Sequence, residues 1–227
     1  MSSIDQHEQL LRLENVGVSY TRRVGIFRKS EFWAVNDVSF TLNRGETLGV
    51  IGKNGVGKST LMRLLAGIID PDRGVIHRYG ECLASLLSLQ VGFVPQLTGR
   101  ENAILSGMLL GMCKQDIRSR MDEIIEFSGL VDFIDQPIYT YSTGMLARLG
   151  FSIAFQTDPD ILLVDEVLGV GDAEFREKSS RAMRQKIRSN KTIVLVSHNQ
   201  HIIRELCDRV VWLESGRERM VGDPDTV

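Results

Sequence analysis

Cysteine is scarce in this chain of 227 residues: Cys82, Cys113 and Cys207 lie far apart, with no C-x-x-C pair. That excludes a disulfide framework or a cysteine-built zinc site and leaves each as a small apolar residue. Long hydrophobic runs are missing as well. No apolar stretch approaches the roughly 18 residues that span a bilayer, and Met1-Ser2-Ser3-Ile4-Asp5 is unlike a secretory signal, so a soluble cytoplasmic chain is expected. Nor is there an excess of one charge. A formal net charge of −2 gives no general attraction to nucleic acid or to an anionic membrane surface. There is no internal repeat and no low-complexity tract. A hydrophobic content of 43% does allow one large domain with its own core and room for a smaller subdomain.

The chain is organised around Gly52-Lys53-Asn54-Gly55-Val56-Gly57-Lys58-Ser59-Thr60, which fits the phosphate-binding pattern G-x-x-x-x-G-K-[ST]. The apolar run Leu48 to Ile51 enters it and a helical pattern, Leu61, Leu64, Leu65, leaves it, so the motif reads as strand, loop, helix. Glycines let backbone N–H groups crowd around a triphosphate, facing the positive end of the new helix. Lys58 would reach the β- and γ-phosphates and the Ser59 hydroxyl would ligate Mg²⁺.

Before this loop, Leu11 to Val16 alternates as a strand and Tyr20 closes it. An aromatic there can stack on adenine, although a lone Tyr at a strand end is ordinarily packing. Thr21 to Trp33 mixes Arg22, Arg23, Arg28 and Lys29 with Ile26, Phe27, Phe32 and Trp33, which suits a headgroup interface, a partner protein, or a long hairpin with a solvated charged face. Ala34 to Leu42 reads as the next strand. After the loop, Asp70 to Gly74 is a turn and Val75 to Leu89 reads as strand. Arg100 to Gly111, Asp116 to Ser128 and Thr143 to Gln156 carry helical spacing, and strands return at Ile161 to Val164, Thr192 to Val196 and Val210 to Leu213. Strands alternating with helices imply an α/β fold with a parallel sheet, into which residues 98–157 look like a helical insertion.

Ile161 to Glu166 is an apolar strand ending in two acids. In a parallel sheet both carboxylates would lie beyond the strand end, facing the phosphates held by Lys58. Asp165 would hold Mg²⁺ through its water shell, and Glu166 would polarise an attacking water. His198 follows the strand ending at Val196 and emerges on the same edge, where its ring can touch the γ-phosphate. Ser142 or Thr143 could cap the helix that follows, and Gly144 permits close approach of a phosphate. A second anion site makes sense if it serves a nucleotide held by another copy of the chain.

The order Gly52 to Thr60, Tyr141-Ser142-Thr143-Gly144-Met145, Asp165-Glu166, Gly171-Asp172, His198 resembles the ATP-binding subunit of ABC transporters over nearly the whole chain. The resemblance implies a P-loop NTPase core with a mostly parallel sheet, an N-terminal antiparallel β subdomain and an inserted helical subdomain. It implies two copies sandwiching two ATP molecules between the Lys58 loop of one and the Ser142–Gly144 segment of the other. Asp172 would then lie at the dimer seam, with Glu166 as catalytic base, His198 on the γ-phosphate and Tyr20 on adenine. A glutamine would sense Mg²⁺: spacing to Thr98 favours Gln90, while the phrase Gly92 to Gln96 favours Gln96, and Gln90 is adopted.

Leu97 to Asn102, the Tyr141-Ser142 opening and Glu166 to Asp172 resemble the branch exporting bacterial surface polysaccharides of O-antigen, capsule or teichoic acid type. That branch usually has Ser where Thr143 stands and Ala where Gly169 stands. It implies membrane-spanning permease subunits as partners, polysaccharide cargo handled mainly through them, and a position on the cytoplasmic face of the inner membrane. Some members carry a carbohydrate-binding domain after the ATPase, whereas this sequence stops at Val227, as a short-type subunit or a cut chain. A small-solute importer subunit would share every ATP-site residue. A soluble ABC-type ATPase acting on DNA or ribosomes would ordinarily carry two ATPase units or a coiled-coil insertion.

Overall fold

The computed structural model describes residues 9–24, 28–165 and 170–227, with side chains of residues 22–24 and 28–29 left aside. The described residues fall into two compact units. One takes in the chain up to Leu86, from Pro159 to Asp165 and from Ile187 onward; the other runs from Leu87 to Asp158 and from Val170 to Lys186.

The first unit holds two sheets. Strands β1 (Gln9–Val24), β2 (Arg28–Val38), β3 (Thr41–Asn43) and β5 (Arg73–Arg78) form an antiparallel sheet in which β1 pairs with the other three. The second sheet is mostly parallel, in the order β10 (Arg217–Gly222), β9 (Arg209–Glu214), β4 (Thr47–Ile51), β8 (Thr192–Val196), β7 (Ile161–Asp165), β6 (Ala84–Leu86). Only its β9–β10 pair is antiparallel. Strands β4, β7 and β8 are apolar and buried almost throughout, as parallel strands covered on both faces must be. Helix α1 (Lys58–Leu65) turns Leu61, Met62, Leu64 and Leu65 into a core shared with Leu11, Val35, Val50, Leu163 and Val194. Each such fully buried side chain contributes about 1.5–3 kcal/mol relative to exposure. Helix α7 (Gln200–Leu206) follows β8 and is capped by the Asn199 side chain.

The second unit is helical: α2 (Gly99–Leu109), α3 (Lys114–Ser119), α4 (Met121–Ser128), α5 (Thr143–Phe155) and all but the last residue of α6 (Ala173–Ile187). Its core joins Ala103, Ile117, Ile124, Leu130, Tyr141 and Leu149. Thr98 and Glu101 close a capping box at the start of α2, and the Thr98 N–H holds the Glu101 carboxyl below its ordinary range.

Several strand and helix expectations are corrected. Val75 to Leu89 is two strands in different sheets, β5 and β6, because Gly80 at φ 77° turns the chain between them. Ala34 to Leu42 is likewise divided, between β2 and β3. Asp116 to Ser128 breaks at Arg120, whose φ −97° and ψ 5° are non-helical and whose side chain donates to the Gln156 carbonyl. Of the readings for Thr21 to Trp33, the hairpin describes the backbone: Thr21 to Val24 of β1 pairs with Arg28 to Glu31 of β2. No helix among the described residues is long and apolar enough to cross a membrane.

Candidate functional site

Strand β4 ends at Ile51 and α1 begins at Lys58, so the glycine-rich loop is the whole connection between them. Gly57 sits at φ 104°, and a Cβ there would lie 2.0 Å from the carbonyl oxygen of Ala34 in β2; both facts demand glycine. Lys58 is buried. Its ammonium donates to the carbonyl oxygens of Gly52 at 2.7 Å and Lys53 at 3.0 Å and stands 3.4 Å from His198 Nε2. These three neighbours match the three donors of an ammonium and hold the charge at the centre of the loop. The Ser59 hydroxyl donates to Asp165 Oδ2 at 3.1 Å. Asp165 is the last residue of β7 and His198 lies two past the end of β8; since β4, β7 and β8 run parallel, their ends share one edge. A cavity of about 410 Å³ opens beside this edge, lined in part by Lys53, His198, Arg204 and Trp212. Tyr20 belongs to the same unit, in β1, paired with Phe32. Glu166 lies outside the described residues, as does Gly169.

Gln90, Ser142, Gly144 and Asp172 fall in the second unit. Ser142, not Thr143, caps α5, its Oγ accepting from the Met145 N–H at 3.2 Å. Among the described residues a Cβ on Gly144 would meet only Ser142 Oγ, at 3.8 Å, so their packing does not require a glycine there. Asp172 Oδ1 accepts from the Phe175 N–H at 2.9 Å, capping α6, while Oδ2 faces Arg148 Nη1 at 4.0 Å. Gln90 is exposed, four residues past β6, at φ 62°, and its backbone nitrogen packs on Gly150 of α5. Gln96 is also exposed. Tyr141 is buried and donates from its hydroxyl to the Phe133 carbonyl at 2.6 Å; burial, then Asp135, pushes its phenol up.

A family model described as ABC transporter matches residues 35–169. The chain belongs to the ABC transporter ATP-binding family. Among its relatives, the O-antigen export system ATP-binding protein RfbB of Klebsiella pneumoniae is 46% identical over 206 residues, covering 91% of this ABC chain and 83% of the relative. The teichoic acids export ATP-binding protein TagH of Lactococcus lactis is 45% identical over 199 residues, covering 88% of this chain but only 42% of the relative. The same fold occurs in an ATP-binding cassette whose dimeric post-hydrolysis structure holds ADP and Pi, with a TM-score of 0.73, 21% identity, and coverage of 95% of this chain and 99% of that one.

Sequence reasoning missed two constructions in this ABC chain. Asn102 is fully buried, and its amide is saturated: Oδ1 accepts from the Val94 N–H at 2.7 Å while Nδ2 donates to the carbonyls of Val94, Leu97 and Thr98. It fixes the segment that follows Gln90, and the signal was a polar residue one turn inside an apolar helix face. Phe127, Phe151, Phe155 and Phe175 form a ring cluster joining α4, α5 and α6, with centroids 5.5–6.0 Å apart. Lys178 and Lys186 cover Phe127 and Phe155 at 4.6 and 4.8 Å. Aromatics so far apart in sequence carry no local signal of meeting.

Proposed function

We propose that this chain is the ATP-hydrolysing subunit of a bacterial surface-polysaccharide exporter, working as an ATP-sandwich homodimer on the cytoplasmic face of the membrane beneath its permease. The observation that carries the hydrolytic part is the convergence of Lys58, Ser59, Asp165 and His198 at one strand edge. Lys58 would move its ammonium from the Gly52 and Lys53 carbonyls to the β- and γ-phosphates, a stronger, charge-assisted partnership. The loop amides and the α1 dipole hold the same charge from the other side. His198 would orient the γ-phosphate, and Glu166 would take the proton of the attacking water.

The hard oxygens of Ser59 and Asp165, 3.1 Å apart, suit Mg²⁺. When bound, the ion neutralises charge on the phosphates. The lack of any packing reason for Gly144 supports its facing a phosphate held by a second copy, with Ser142 beside it and Asp172 at the seam. Closing on ATP and reopening after hydrolysis would pass motion to the permease through the helical unit. Export rather than import is favoured by the likeness to RfbB over most of both chains.

Two measurements test this. Specific ATPase activity should rise with protein concentration until dimers saturate; concentration-independent activity overturns the sandwich. Gentle solubilisation of native membranes should recover a multi-span permease with the tagged chain, whereas recovery of ribosomal or DNA-repair proteins alone overturns the export reading.

A further inference from the structure

The cavity of about 410 Å³ in the first unit lies apart from the groups assigned to phosphate and metal. At the loop it is lined by Ile51, Gly52 and Lys53, and not by Tyr20, Lys58, Ser59 or Asp165. Its remaining walls come from α7, β9 and the segment that follows β10.

Most of that lining is apolar. Ile203 and Val210 are buried, and Trp212 is half-buried with its ring system available to an occupant. Beyond β10 the Thr226 and Val227 N–H groups both donate to the Asp223 carbonyl, at 3.0 and 3.2 Å, and close a turn. Within the turn Pro224 and Val227 are half-buried and line the cavity, while Asp223, Asp225 and Thr226 are exposed. The charged residues among the described lining are Lys53 and Arg204, with no acid. Arg204 does meet Asp225 at 3.7 Å, but both side chains are more than half exposed and so loose a pair contributes little. A concave, mainly apolar space of this volume with a few polar groups is the build of a small-molecule site, and its surplus of positive charge selects an anion.

We propose that this cavity is a second ligand site, for a small amphipathic anion whose aromatic or branched apolar body packs on Trp212 and Ile203 and whose anionic group meets Arg204 and Lys53. His198 also lines the cavity and stands 3.4 Å from the Lys58 ammonium, so an occupant bears on the ring assigned to the γ-phosphate. Occupancy should therefore change turnover rather than ATP affinity. The effect on turnover rests on the nucleotide reading above, whereas the site itself does not.

The probe is anilinonaphthalene sulfonate, an aromatic body with one anionic group, whose fluorescence rises in apolar surroundings. Titrated into the folded full chain, it should fill one saturable site. Arg204→Glu should weaken the probe about tenfold or more, with ATP affinity by calorimetric titration held within about twofold. Val227→Phe, which fills the cavity from the turn without touching its charge, should exclude the probe as well. Binding that does not saturate, or that survives both variants, overturns the site. Displacement of the probe by ATP overturns it too, by placing the probe among the phosphate groups. At saturating probe, steady-state ATP turnover should change at least about twofold in wild type and not in Arg204→Glu; unchanged turnover overturns the link through His198. A chain that binds the probe but neither binds nor hydrolyses ATP removes the nucleotide reading and leaves the site standing.

Discussion

Lys58 and Thr143 each open a helix, and the two helix starts are finished differently. At α1 the preceding residue is Gly57, in the left-handed region with no side-chain cap, and the lysine ammonium occupies the loop. At α5 the preceding Ser142 caps with its own hydroxyl, and Gly144 follows without a packing reason. A start without a side-chain cap leaves its first amides for a bound anion; a start capped by serine stands by itself and can engage a phosphate reversibly. The first is suited to holding a nucleotide within one chain, the second to meeting one when it is presented.

That comparison can be broken at several points. The largest effect should come from Phe151→Ala, which empties the centre of the ring cluster beneath α5: stability should fall by about 3–5 kcal/mol in denaturant titration. ATP affinity measured where the variant is still folded should change less than about twofold, and a parallel loss would mean that the two helix starts are not independent. Glu166→Gln should lower steady-state hydrolysis by about 10²-fold or more while ATP still binds; near wild-type turnover would remove Glu166 as the base.

Lys58→Ala should weaken ATP binding itself by about ten- to a hundredfold, read by the same titration. Ser142→Ala should cost about 1 kcal/mol of stability as a lost cap, yet lower hydrolysis about tenfold or more with single-chain ATP affinity intact. If hydrolysis tracks stability alone, Ser142 is only a cap. The smallest effect contrasts two thiols. Cys207 is buried in the first unit, where burial and then Asp208 push its pKa up to about 12, so it stays a neutral thiol at pH 8. Cys113, exposed at the start of α3, should be alkylated at that pH and Cys207 should not, as peptide mass spectrometry would show.

The phosphate loop was legible because its geometry is local: glycines, a lysine and a flanking strand and helix lie within a dozen residues of sequence. Asp165 and His198 were placed correctly on the carboxyl edge by following apolar strands to their ends, a rule that needs only strand direction. The break at Arg120 was hidden because a charged residue there looks like the solvent face of one continuous helix. Strand β10 was missed because half of its residues are exposed and none is buried, with no apolar alternation to count. The capping role of Ser142 over Thr143 was open in the sequence and is decided by one 3.2 Å contact.

The meeting of Gly57 with Ala34 has a consequence for how such a chain can change. The contact is made by a backbone carbonyl, which every residue at position 34 supplies alike. Exposed side chains of β2 can therefore be rewritten without re-tuning the phosphate loop, provided the strand keeps its bulge and Val35 and Val38 stay in the core. The loop tolerates no side chain at Gly57, nor at Gly52, where a Cβ would lie 2.4 Å from the Leu213 carbonyl oxygen, yet neither demand reaches the outer hairpin, which is free to acquire new partners while the energy-converting chemistry stays as it was.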